Sequence, residues 1–137
     1  MTSLSELSAV VAAMPERSLL IVSGPKGWGT TRWARSLANA NILDEPDIYG
    51  EFNSHPFGKN VLVIDNVKVD HARSSRRERF QAAITGMLRQ VLEIRRKHQP
   101  NESVPNTHKV VILTSDPDGL DWLSVPGVDT SHVEVAA

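Results

Sequence analysis

The sequence predicts an α/β domain in which a mostly parallel central sheet carries helices on both faces. Three observations lead there. Leu19-Leu20-Ile21-Val22, Val61-Leu62-Val63-Ile64 and Val110-Val111-Ile112-Leu113 are uninterrupted apolar runs of strand length, as strands buried on both faces require. Segments of helical periodicity stand between them, the alternation that builds a three-layer parallel sheet. Each run gives way to small or polar residues, Ser23-Gly24, Asp65-Asn66 and Thr114-Ser115, and in such sheets ligands bind beyond the carboxyl ends of the strands.

The elements follow in order. Ser3 to Ala13 reads as a helix: Ser3 and Glu6 have capping-box spacing, Leu4, Leu7 and Val11 share a face, and Pro15 ends it. The first apolar run leads into Ser23-Gly24-Pro25-Lys26-Gly27-Trp28-Gly29-Thr30-Thr31. A helix over Thr31 to Asn41 is expected next, with Trp33 or Ala34, Leu37 and Ala38 facing inward. Residues 44–60 read as irregular, with a short strand at Ile48-Tyr49. The second run ends on Asp65. Arg76 to His98 is the clearest helix, since Phe80, Ile84, Met87, Val91 and Ile94 form a stripe flanked by Ala83 and Leu88. Glu93 and Lys97 form a favourable i,i+4 pair on its other face, and Pro100 closes it. A polar loop then leads to Lys109 and the third run. Asp118 to Leu123 is read as one helical turn and His132 to Val135 as an edge strand.

At 137 residues the chain predicts one domain, with a helical lead-in over 1–16, a core over 17–118 and an acidic tail over 119–137. Apolar residues at 40% and charged residues at 23% make an ordinary globular mixture rather than a disordered one. The chain has no cysteine, which excludes a disulfide framework and a thiolate metal site. No apolar run approaches the ~18 residues of a membrane span, and no secretory signal is evident, so the expectation is a cytoplasmic protein without a membrane partner. The five histidines show no metal-ligand spacing.

A net charge of −1 gives no global attraction to nucleic acid. The charges are nevertheless segregated. Lys68, Arg73, Arg76, Arg77, Arg79, Arg89, Arg95, Arg96 and Lys97 crowd the middle of the chain, whereas Lys109 is the lone cation after His98. Arg73, Arg76, Arg77 and Arg79 stand at a predicted helix start, where cations oppose the helix dipole. That cost raises a contact with DNA, with a replication protein or with another subunit beside the plain reading of a solvated face. Arg89, Arg95, Arg96 and Lys97 read as an ordinary solvated face at a helix end.

The glycine-rich turn carries the sharpest chemical signal. Glycines let successive backbone N–H groups turn around an anion, and the positive end of the following helix faces the same anion. The spacing Gly24-x4-Gly29-x-Thr31 matches the phosphate-loop pattern G-x-x-x-x-G-K-[ST] except at Thr30, where the pattern has lysine.

With those residues in view, the run from Gly24 to Arg35 resembles the Walker A region of P-loop NTPases of the AAA+ and superfamily 3 helicase type, above all the helicase domains of replication initiators from small DNA viruses. Val61 to Asp65 resembles Walker B, and Val110 to Ser115 the later strand that bears a polar sensor residue. The resemblance implies a nucleotide cradle of Gly24, Pro25, Lys26, Gly27, Trp28, Gly29, Thr30 and Thr31. It implies Mg²⁺ held by Thr31 and Asp65, with Asn66 and Ser115 (or Thr114) facing the reacting phosphate. ATP or another NTP with Mg²⁺ is the implied cofactor, and ring assembly is implied with it.

Two departures bear on chemistry. Lysine stabilises charge developing on the transferred phosphoryl group, which Thr30 cannot do. A glutamate normally follows the Walker B aspartate to orient the attacking water, and here the residue is Asn66. Lys26, on the loop itself, either folds back onto the phosphates in compensation or points to solvent; Trp28 either stacks on a base or partner or covers apolar surface. Three functions therefore stand. The first is a phage, viral or mobile-element protein of this type that acts mainly by binding a nucleotide or a replication partner. The second is an active ATPase, a replication helicase or packaging motor using Lys26 or a partner's lysine. The third is a small nucleotide kinase, disfavoured because no arginine-rich lid is evident.

Overall fold

The computed structural model describes residues 3–24, 29–37, 40–44, 61–67, 74–88, 91–94, 102–105, 107–114, 123, 125 and 127–135. Its helices are α1 (Leu4–Ala13), α2 (Thr30–Arg35) and α3 (Ser74–Met87). Its strands are β1 (Leu19–Ser23), β2 (Ala40–Asp44), β3 (Val61–Val67), β4 (Val91–Ile94), β5 (Glu102–Pro105), β6 (Lys109–Thr114) and β7 (Thr130–Glu134). Five strands form one sheet in the order β2-β3-β6-β1-β7, and every pairing in it is parallel. β4 and β5 pair antiparallel in a separate two-stranded sheet.

Strand alternation divides the core into two layers. Leu19 and Ile21 of β1, Leu62 and Ile64 of β3, and Val110 and Ile112 of β6 meet Phe80, Ile84, Met87 and Leu88 of the α3 segment. Leu20, Val22, Val61, Val63, Val111 and Leu113 meet Leu7 and Val11 of α1 and Trp33 and Ala34 of α2 on the opposite face. Helices thus cover both faces of a parallel sheet, which is the three-layer α/β class that the apolar runs predict. β7 closes one edge, at the position expected for the C-terminal strand.

α1 forms as its sequence implies: the Ser3 side chain accepts from the Glu6 N–H at 3.2 Å, while the far end is met by Lys109, whose Nζ donates to the Val11 and Ala12 carbonyls, each at 3.3 Å. Orphan groups at both helix termini are thereby satisfied.

Two helical expectations are corrected. The α2 helix ends at Arg35, not Asn41, and the Ala40–Asp44 stretch is a strand. Pairing of Ala40 through Asp44 with Val61 through Asp65 overrides the helix propensity of Ala40, and Asn41 is a poor helix former. The long Arg76–His98 helix ends at Met87. Val91 and Ile94, which continue its apolar stripe, lie in β4 instead, so Glu93 belongs to a ladder rather than to a helical i,i+4 pair. Gly86 and Thr85 sit at the break, and neither sustains a helix well. The expected polar loop after Pro100 holds β5. The Ile48-Tyr49 strand and the turn starting at Asp118 fall outside the described residues, except for its last residue, Leu123, which is buried.

Candidate functional site

The chain leaves β1 toward the β2 edge of the sheet and leaves β6 toward the opposite edge, where β7 lies. β1 and β6 are neighbours, and their carboxyl ends share the edge at which open parallel sheets usually bind ligands. The glycine-rich turn begins at this point. Its first residue, Gly24, is buried and donates its N–H to the Thr114 carbonyl at 3.2 Å. Its last glycine, Gly29, precedes α2 in the left-handed region at φ 86°, a conformation that favours glycine over other residues. The Gly29 carbonyl then accepts from the Trp33 N–H at 2.9 Å, which starts the helix.

Thr31, in the first turn of α2, donates from Oγ1 to Oδ2 of Asp65 at 2.5 Å. Such a length belongs to hydroxyl–carboxylate bonds. Asp65 is only 3% exposed, so burial leaves its oxygens dependent on protein partners. The bond ties the helix that follows the glycine turn to the end of β3, across 34 residues of sequence.

The end of β3 is shaped for this contact. Ile64 aligns with Ile112 and Val67 with Thr114, so Asp65 and Asn66 together stand opposite Leu113. This is a bulge. Without it Val67 would share the face of Asp65; with it Val67 turns into the α3 layer, while Asp65 keeps the face of α2. Thr114 fastens the bulged strand by donating from Oγ1 to the Val67 carbonyl at 3.1 Å. The register also sets Asp44 level with Asp65 and Glu134 level with Ser23. Acidic residues therefore end β2 and β7 at this edge, and Asp65 lies two residues before the end of β3.

Of the candidate residues, Gly24, Gly29, Thr31 and Asp65 are brought to one sheet edge. Thr30 and Asn66 take their places in α2 and β3, and Arg76 its place in α3, by their backbones. Arg77 is half-buried and Arg79 exposed on α3. Pro25, Lys26, Gly27, Trp28, Ser115 and Arg73 lie outside the described residues, so the role of Lys26 remains an expectation from sequence.

Two contributors escape the sequence reading. Ser8 of α1 accepts from Trp33 Nε1 at 2.8 Å, which fastens α2 from behind. The second is Asp44: its signal is the polar end of Asn41-Ile42-Leu43-Asp44, a short run like that ending in Asp65, which a preceding segment of helical periodicity obscures. Among the described residues no cluster of metal-ligating side chains is large enough to hold an ion unaided, and no helix is long and apolar enough to cross a membrane.

No protein-family model matches this sequence, and no curated protein matches it. Among solved structures the fold is similar to the C-terminal region of NrS-1 in its A-form apo structure, with a TM-score of 0.51 and 15% sequence identity. That likeness covers 96% of this chain but 32% of the other, so the chain spans about a third of the length of the region it resembles. At this identity the likeness is one of fold, and the fold it supports is the parallel α/β sheet described above.

Proposed function

We propose that the chain is a P-loop NTPase-like domain of a phage, virus or mobile element that acts mainly by binding a nucleotide or a replication partner. The Thr31–Asp65 bond carries this reading. A hydroxyl in the first turn after a glycine loop, set against a carboxylate at the end of a neighbouring parallel strand, is the pair such domains use to hold Mg²⁺. Gly24 and Gly29, which bracket the glycine turn at the carboxyl end of β1, support it, and so does the likeness in fold to the NrS-1 C-terminal region. Thr30 and Asn66 occupy the two positions where turnover chemistry needs a lysine and a glutamate, so binding is favoured over hydrolysis.

Calorimetry with ATP and Mg²⁺, run beside a phosphate-release assay, tests the proposal. Binding without release, lost in Asp65→Ala, is the expected result. Binding with rapid release would establish the active ATPase instead, and its collapse in Lys26→Ala would assign the compensating cation. No binding would leave the loop as a structural frame and remove the nucleotide from the proposal. A phosphotransfer product from a nucleoside monophosphate would revive the kinase.

A nucleic-acid or replication partner is the second reading, and the arginines of α3 favour it. α3 begins seven residues after the end of β3, and its first half holds Arg76, Arg77 and Arg79. Binding of single- or double-stranded DNA that weakens steeply with salt, and weakens further in an Arg76→Ala/Arg79→Ala variant, is the expected outcome. Salt-independent retention would remove DNA.

A further inference from the structure

The excursion between α3 and β6 leaves at Leu88, forms the β4–β5 pair and returns at His108. β4 and β5 bond to each other and not to the main sheet. A two-stranded hairpin is marginal in water, and closing a connection of this length costs entropy that the ladder alone must offset. Something must hold its two roots together.

Arg17 touches both roots. Its main-chain N–H donates to the His108 carbonyl at 2.8 Å, and its side-chain Nε donates to the Leu88 carbonyl at 3.0 Å. Leu88 is buried and ends the α3 segment, and His108 is buried immediately before β6. Arg17 itself lies at φ 57°, the one non-glycine residue with positive φ among those described. Side-chain crowding makes this conformation costly for arginine, and such outliers persist where the surroundings over-determine them. Two hydrogen bonds in two directions from one residue are that over-determination.

We propose that Arg17 is the positioning residue of the β4–β5 arm: its guanidinium holds the Leu88 root while its main-chain N–H holds the His108 root, and the two together make an otherwise marginal hairpin an ordered part of the domain. The proposal rests on the fold and is independent of nucleotide binding. It also places the arm's roots and the start of the glycine turn at opposite ends of one strand, because Arg17 precedes β1 and Gly24 follows it.

Hydrogen exchange on the full chain tests the clamp. Arg17→Gly keeps the main-chain bond and accepts positive φ without strain, so it removes the guanidinium alone; Arg17→Asn does the same with a residue that also tolerates this region. Loss of a charged donor to a carbonyl corresponds to roughly a ten- to hundredfold change in the opening equilibrium. The amides of Val91–Ile94 and of residues 102–104 should exchange faster by that factor in both variants, while those of β1 and β6 keep their rates. Unchanged hairpin rates, or an equal rise in β1 and β6, would overturn the proposal. So would hairpin amides already unprotected in the native chain.

Discussion

Replacing Thr31 by valine tests the reasoning about the candidate site most directly. Valine keeps the shape of threonine and has a similar helix propensity, so the substitution deletes one hydroxyl from a position that is half-buried. The lost bond is 2.5 Å long and ends on a carboxylate that is 3% exposed. Hydrogen bonds to charged groups contribute about 1.5–3 kcal/mol. Asp65 has further interactions, which share the burden of satisfying its oxygens, so the loss should fall toward the lower end, about 1.5 kcal/mol. For a domain of this size that lowers Tm by roughly 5 °C. Thr31→Ser, which keeps the donor, should lose much less. Denaturant melts of Thr31→Val, Asp65→Asn and the double variant give the coupling energy between the two side chains, expected at about 1 kcal/mol or more. A coupling near zero, or a Thr31→Val chain as stable as the parent, would show that the hydroxyl does not serve the carboxylate, and the argument for a built cation pair would fall.

Three further outcomes follow from the fold. Ser3→Ala should cost about 1 kcal/mol by removing the α1 cap, with Ser3→Asp retaining most of the stability in a thermal melt. Gly29→Ala should destabilise by about 1 kcal/mol or more from backbone conformation alone, since nothing lies within 4 Å of a Cβ placed there; Gly29→Asn, which tolerates the left-handed region, should recover part of that in the same urea titration. Ile84→Ala, at a fully buried position under the sheet, should cost about 2–5 kcal/mol in urea unfolding, whereas Val10→Ala at the exposed face of α1 should lie within about 0.5 kcal/mol of the parent.

The layers were legible because the three central strands are buried on both faces, and burial on both faces writes itself as an unbroken apolar run. Leu62-Val63-Ile64 needs no context to be recognised. β2 and the β4–β5 arm were not legible for a related reason. Ile42 is half-buried and Ala40 likewise, so an edge strand carries a weaker and shorter signal, and it directly follows residues with helical spacing. Val91 and Ile94 continue the spacing of Phe80, Ile84 and Met87 by coincidence of phase, and single-sequence periodicity cannot see that Glu102–Pro105 is available as a partner. Long-range pairing decided between helix and strand there. At the site, residue types revealed Thr31 and Asp65, while the bulge that sets Asp65 on the face of α2 depends on register and leaves no local mark. Arg17 was equally hidden, since its backbone angle is fixed by partners 71 and 91 residues away in sequence.

The sharpest separation between a binder and a working NTPase lies at Thr30 and Asn66. If the carboxyl edge of the sheet retains the geometry of a phosphate site, as we propose, the missing chemistry is a matter of two side chains rather than of the frame. A single preorganised charge-stabilising contact contributes on the order of 10²–10³ in turnover. Thr30→Lys replaces a residue at the start of α2 by one of good helix propensity and should tighten Mg²⁺-ATP binding. Thr30→Lys combined with Asn66→Glu should raise phosphate release by about that factor over the parent chain. Adding Asp65→Ala must abolish the gain, because the restored lysine and glutamate act on a phosphate whose metal depends on that carboxylate. Release that rises and then survives Asp65→Ala would place the chemistry elsewhere. A double variant that folds, yet neither binds nor hydrolyses, would show that the frame itself has closed, and that the Thr31–Asp65 bond now holds the sheet edge together in place of a metal.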